Sequence, residues 1–130
     1  MKTLIVEDDF NSRLLLQELL KKYGSSHVAV NGVEAVKVCE QSIESGDLYD
    51  LICLDIMMPE MDGQEALKAI RDMEDKADIK FPKRPKIVMT TALGDVKNVM
   101  GAFYSLCDGY LVKPYSKDQL ENELGRLELI

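Results

Sequence analysis

The sequence predicts an α/β domain, a doubly wound five-stranded parallel sheet in the order 2-1-3-4-5 with helices on both faces. Three observations carry this. Short apolar runs alternate with helical patterns five times along the chain. The runs are continuously apolar, as strands buried on both faces must be. Polar residues gather directly after those runs, where a sheet of this kind binds its ligands.

Leu4 to Val6 forms the first run and stops at Glu7-Asp8-Asp9. Residues Asn11 to Tyr23 place Leu14, Leu15, Leu19 and Leu20 at helical spacing, and Gly24 closes that helix. His27 to Val30 reads as the second strand. Val33, Val36 and Val38 through Ile43 make a helix ending near Gly46. Leu51 to Leu54 is the most apolar strand, and Asp55 follows it directly. After a Met58-Pro59 turn, Glu65 to Met73 is helical with Ala66, Leu67 and Ile70 inward. The segment Glu74 to Pro85, rich in charge and proline, reads as a long mobile connection, and its basic part from Lys80 to Lys86 as a solvated loop. Ile87 to Met89 is the fourth strand, Val96 to Leu106 a helix, and Tyr110 to Val112 the fifth strand. A last helix from Lys117 carries Leu120, Leu124 and Leu127.

At 130 residues, 46% apolar and 30% charged, the chain is expected to be one domain over residues 1–130, folding without a metal or disulfide staple. No apolar run approaches the roughly 20 residues of a membrane span. The start runs straight into Leu4-Ile5-Val6, leaving no room for a signal peptide, so the cytoplasm is the expected location. The net charge of -7 argues against direct nucleic-acid binding. Cys39, Cys53 and Cys107 lie far apart among apolar neighbours, the pattern of buried reduced thiols. His27 sits far from the strand ends that carry the chemistry and is read as structural.

Strand one ends in Glu7-Asp8-Asp9, strand three in Asp55, strand four in Thr90 and Thr91, and strand five in Lys113. In this sheet order Asp8, Asp9 and Asp55 converge. Converging carboxylates must protonate or hold a cation. Mg2+ fits, because it takes one or two carboxylates and leaves positions for phosphoryl oxygens. A carboxylate nucleophile, a hydroxyl and an ammonium beside such an ion make a site for in-line phosphoryl transfer. The bland readings weigh less. Asp55 directly after an apolar strand is oddly placed for a helix cap, and Lys113 before Pro114 is no ordinary surface lysine. Met57, Met58 and Met61 are read mainly as packing, and Thr90 as a local strand residue.

Four motifs in register resemble the response regulator receiver family of two-component signalling, the CheY-like domains. They are Val6-Glu7-Asp8-Asp9, Leu54-Asp55-Ile56-Met57-Met58-Pro59-Glu60-Met61-Asp62-Gly63, Thr91-Ala92, and Gly109-Tyr110-Leu111-Val112-Lys113-Pro114-Tyr115. The resemblance covers essentially the whole chain and implies the flavodoxin-like (βα)5 fold. It implies that Asp55 is the phosphoacceptor for a histidine kinase or phosphotransfer protein. Asp9 and Asp55 would ligate Mg2+ directly, Asp8 through water and Met57 through its backbone carbonyl, with Mn2+ able to substitute. Thr91, the Ala92 backbone and Lys113 would meet the phosphoryl group, Tyr110 would change rotamer, and the Lys113–Pro114 bond would be cis. Met57 and Leu93 would tune dephosphorylation, and Gly63 would start the third helix.

The resemblance further implies a signalling phosphoacceptor rather than an enzyme. Its output would pass through the fourth predicted helix, fifth strand and fifth helix, including Val96, Val99, Tyr104, Tyr110, Tyr115 and Lys117. With no output domain expected, the target is another protein, and the domain is a monomer or weak dimer. A flavodoxin-like cofactor binder would need a Ser/Thr/Gly loop where Glu7-Asp8-Asp9 stands. An aspartyl phosphatase would need a second acid where Met57 stands. A degenerate receiver would lack part of the set Asp8, Asp9, Asp55, Thr91 and Lys113.

Overall fold

The computed structural model describes residues 1–58, 60–92 and 106–130. Strands β1 (Thr3–Val6), β2 (Ser26–Ala29), β3 (Leu51–Asp55), β4 (Lys86–Ala92) and β5 (Gly109–Lys113) form one sheet in the order β2-β1-β3-β4-β5, every pair parallel. This is the predicted topology. Among the described residues there are four α-helices: α1 (Phe10–Leu20), α2 (Gly32–Ser45), α3 (Gly63–Lys76) and α4 (Lys117–Arg126). The helix expected over 96–106 falls almost wholly outside the described residues. So do Leu93, Val96, Val99, Tyr104 and Pro59.

Strand side chains alternate between faces, and each face has its own core. Leu4, Val6, Ile52, Leu54, Ile87 and Met89 pack with Ala35 and Cys39 of α2 and with Ala66, Leu67 and Ile70 of α3. Ile5, Leu51, Cys53, Val88 and Leu111 pack with Leu16 and Leu20 of α1 and with Leu120 and Leu124 of α4. Every residue of β1 and β3 is buried, which is why those runs carry no polar alternation. All four helices start on a side-chain cap. Asp9, Asn31, Asp62 and Ser116 each accept from a backbone N–H three residues on.

Two expectations need correction. In α1 the sheet-facing leucines are Leu16 and Leu20, whereas Leu14 and Leu15 are 44% and 49% exposed. Consecutive leucines at 14–16 sweep about 200° of helix, so only one can face the sheet. Cys107 is also only half-buried, though none of the three cysteines forms a disulfide. The second correction concerns the charged segment after Met73. α3 continues to Lys76, and a 3-10 turn occupies Phe81–Lys83.

That segment is anchored at its two ends by buried charge, while Lys80, Phe81, Pro82 and Lys83 between them stay exposed, as expected of a solvated loop. Arg71 is 5% exposed and Glu74 1% exposed. The Arg71 guanidinium pairs with Glu74 at 2.8 Å and Asp108 at 2.9 Å, and donates to the Leu106 carbonyl at 2.9 Å. Arg84 approaches Glu74 at 3.8 Å and pairs with Asp75 at 2.7 Å. Burial pushes the Glu74 carboxyl above its ordinary range, and Arg71 pulls the other way. Removing one partner of such a network leaves a charge in the core. Arg71→Ala should therefore lower the unfolding free energy by about 3–5 kcal/mol in urea titration. Lys80→Ala, which removes a fully solvated pair with Asp78, should change it by less than about 1 kcal/mol.

Candidate phosphoacceptor site

Register builds the site. Val6 pairs with Leu54, so Glu7 and Asp55 emerge side by side at the C-terminal edge of the sheet. Asp55 pairs with Thr90 on its other side, and Ala92 pairs with Lys113. Carboxylate oxygens of Glu7, Asp8 and Asp55 all lie within 4.8 Å of one another. Glu7 is 1% exposed and Asp55 4%, whereas Asp8 reaches solvent. Lys113 Nζ lies 3.0 Å from Glu7 Oε2 and 3.5 Å from Asp55 Oδ1. Met57 donates its N–H to Asp55 Oδ1 at 3.3 Å.

These distances set the electrostatics. Burial raises the Asp55 carboxyl to about 7, the Glu7 charge adds to the rise, and Lys113 opposes it. Burial works against the Lys113 ammonium as well, but the Glu7 hydrogen bond and the Asp55 charge outweigh it and raise its pKa. Two buried carboxylates and a third at the rim share one lysine. Three hard oxygen donors with that excess of negative charge suit a small divalent cation such as Mg2+.

The loop after β3 is held by close backbone approach. Gly63 donates its N–H to the Ile56 carbonyl at 2.8 Å. A Cβ at Gly63 would stand 2.3 Å from the Asp55 carbonyl oxygen, so only glycine fits between α3 and the strand end. At the other lip, the Arg13 guanidinium donates to the carbonyls of Glu7 at 3.1 Å and Asp8 at 3.5 Å.

The structure brings Asp8, Asp55 and Lys113 together as the sequence implies, and it adds Glu7. It does not bring Asp9, the expected direct ligand. The Asp9 carboxylate caps α1, accepting from Ser12 N–H at 2.8 Å, and that bond holds its pKa below the ordinary value. Three consecutive acids hide which two point inward. The signal that separates them is the aspartate three residues before Ser12, an N-cap pattern. Arg13, a single arginine on a helix, carried no sequence signal at all.

The remaining site residues differ in exposure. Thr91 is buried, and its hydroxyl donates to the Ala92 carbonyl at 3.1 Å. Met57 is 62% exposed, and Tyr110 is half-buried against the core of the α2–α3 face. The Lys113–Pro114 peptide is cis, as expected. His27 sits on β2, away from the site, with Nδ1 2.7 Å from the Tyr49 hydroxyl, which fits a structural role. No helix among the described residues is long and apolar enough to cross a membrane.

A doubly wound sheet with an acidic cluster, a strand-end aspartate and a lysine on the facing wall defines a class of phosphoacceptor domains. Residues 3–125 match the family model described as the response regulator receiver domain. The chain belongs to that family. It is 32% identical to the chemotaxis protein CheY of Bacillus subtilis over 127 residues, covering 96% of this chain and 95% of CheY. It is 31% identical to histidine kinase 3 of Arabidopsis thaliana, where it spans 96% of this chain but only 13% of the kinase. Among solved structures it resembles the receiver domain of the sensor histidine kinase PA1611 of Pseudomonas aeruginosa. The TM-score is 0.76 at 25% identity, covering 96% of this chain and 94% of that one, and that structure has a magnesium ion coordinated in the active site cleft. Receivers of this family act as signalling phosphoacceptors and partner with histidine kinases and downstream effectors.

The crowding of the site has a measurable consequence for stability. Asp55 binds its proton more tightly folded than unfolded, so metal-free stability falls as pH rises from about 4 through about 7. In EDTA at pH 8, Asp55→Asn should raise the unfolding free energy by about 2 kcal/mol. At pH 4 the gain should vanish. Chemical denaturation at the two pH values checks both.

Proposed function

We propose that Asp55 accepts a phosphoryl group from the phosphohistidine of a histidine kinase or phosphotransfer protein, in a Mg2+-dependent reaction. The modified domain then signals to a partner protein. One observation carries this reading: the buried Asp55 carboxylate stands 3.5 Å from the Lys113 ammonium and within 4.8 Å of Glu7 and Asp8. Family membership supports it.

An Asp55 carboxylate oxygen attacks phosphorus in line as the P–N bond of the donor breaks. The histidine nitrogen keeps the bonding pair and takes a proton, and Asp55 becomes an acyl phosphate. Such transfer is mostly positioning and charge neutralisation. Magnesium or manganese held by Glu7, Asp8, Asp55 and the Met57 carbonyl would neutralise charge on the phosphoryl oxygens. Lys113, already between Glu7 and Asp55, moves its ammonium onto a phosphoryl oxygen. The Met57 N–H, which now bonds Asp55, keeps the acceptor pointed at the cleft.

The phosphoryl group adds charge and acceptor oxygens at a fixed point. Thr91 exchanges its bond to the Ala92 carbonyl for one to a phosphoryl oxygen. Tyr110 turns inward into the space released, and the surface of β5 and α4 changes shape for a partner. This is a two-state equilibrium biased by the modification. Three cysteines outside any disulfide suit a reducing compartment, which supports the cytoplasm as its location.

Treatment with acetyl phosphate and Mg2+ should add the mass of one phosphoryl group in intact-protein mass spectrometry. Asp55→Asn, or EDTA with the wild type, should abolish it, and an adduct persisting in Asp55→Asn would overturn the proposal. Met57 and Leu93 hold no group that orients an attacking water, so the phosphoryl group should be long-lived. A Met57→Asn, Leu93→Glu variant should lose phosphate faster than the wild type, because both new side chains can hold an attacking water. Equal decay rates would remove both side chains from the account.

A further inference from the structure

We infer that the turn preceding β4 is a docking knob for a short acidic segment of another protein, separate from the phosphoacceptor cleft. Residues 76–86 hold Lys76, Lys80, Lys83, Arg84 and Lys86 against a single acid, Asp78, in a chain of net charge -7. At their centre Phe81 is 70% exposed. Lys76, Lys80 and Lys83 are exposed as well, and Lys80 pairs only with Asp78.

The knob is rigidly mounted. The Arg84 guanidinium lies 4.3 Å from the Phe81 ring centre, so one ring face rests on it and the other faces water. Arg84 also donates to the Ile79 carbonyl at 2.7 Å and pairs with Asp75 at 2.7 Å. Beneath it Arg71 donates to the Pro85 carbonyl at 3.3 Å. Backbone bonds from Lys83 to Lys80 and from Arg84 to Phe81 close the turn, and Pro82 and Pro85 restrict it further. A large apolar ring is therefore held in water on a fixed basic platform. Pre-organisation of this kind lowers the ordering cost of binding.

Charge selects the partner. Lys76, Lys83 and Lys86 make no ion pair among the described residues, so the free charge is positive and local. Exposed Asp72, Asp75 and Asp78 flank it and limit its width. A flat anionic bilayer or a long nucleic acid would press against those acids and the acidic remainder of the surface. A short segment with several carboxylates and one apolar side chain meets only the knob. Its carboxylates face the lysines and its apolar group covers Phe81.

The knob lies at the N-terminal end of β4, whose seven residues span about 20 Å to the Thr91–Ala92 end beside the cleft. The test is fluorescence anisotropy with a labelled peptide of sequence Glu-Glu-Leu-Glu-Glu-Leu-Glu, which needs neither Mg2+ nor phosphorylation. Wild type should bind it, more weakly as salt rises. Lys80→Glu with Lys83→Glu should weaken binding about tenfold or more, as like charges then face each other. Phe81→Ser should weaken it several-fold at unchanged melting temperature. Three results would overturn the inference: no anisotropy change in wild type, equal binding by the charge-reversed variant, or capture of phosphatidylserine vesicles or single-stranded DNA in preference to the peptide.

Discussion

Negative charge compressed at one edge of the sheet is the constraint on which the rest depends. Glu7 and Asp55 are fixed side by side by the pairing of β1 with β3, Asp8 joins them at the rim, and among the described residues Lys113 is the one ammonium between them. Lys113 offsets part of the repulsion, but burial of the Asp55 carboxylate beside Glu7 works against folding of the bare protein. The sheet pays for it with two continuous cores, and the strands that deliver the acids are buried along their whole length. Strain of this kind, held by a scaffold that cannot relax it, is how a fold keeps a site ready for a cation and a phosphoryl group. Gly63 serves the same end, since its missing side chain lets α3 start against the Asp55 backbone.

The two edges of the sheet divide the work. The C-terminal edge gathers the acids and Lys113, the site proposed for phosphoryl transfer. The N-terminal edge of β4 gathers arginines and lysines around a buried ion network of Arg71, Glu74, Arg84 and Asp108. That network joins the end of α3 to the residues entering β5, through bonds to Leu106 and Asp108. It ties the lower ends of β4 and β5 together, opposite the ends where Thr91 and Lys113 stand.

Most of the fold was legible because burial on both faces writes itself into a strand as unbroken apolar residues, and polar residues at strand ends then mark the binding edge. Asp55, Asp8, Lys113 and the cis bond before Pro114 were readable on that basis together with the family motifs. Glu7 was not, because consecutive acids look alike until the strand end and the helix cap are fixed, and the Asp9 carboxylate goes to Ser12 instead. Leu14 and Leu15 misled for a related reason, since three adjacent leucines satisfy any helical phase. Glu74 misled because charge in sequence signals solvent, and Arg71 drew no reading at all. Only the structure reveals that these charges satisfy one another in the interior.

Glu7, Asp8 and Asp55, and not Asp9, form the acidic cluster that the proposed dication would occupy. A Mg2+ titration followed by 1H–15N NMR tests it most directly. Saturable shifts should centre on Glu7, Asp8, Asp55 to Met57 and Lys113, disappear in Asp8→Asn, and persist with similar affinity in Asp9→Asn. Shifts lost in Asp9→Asn but kept in Asp8→Asn, or no saturable response in the wild type, would contradict the account.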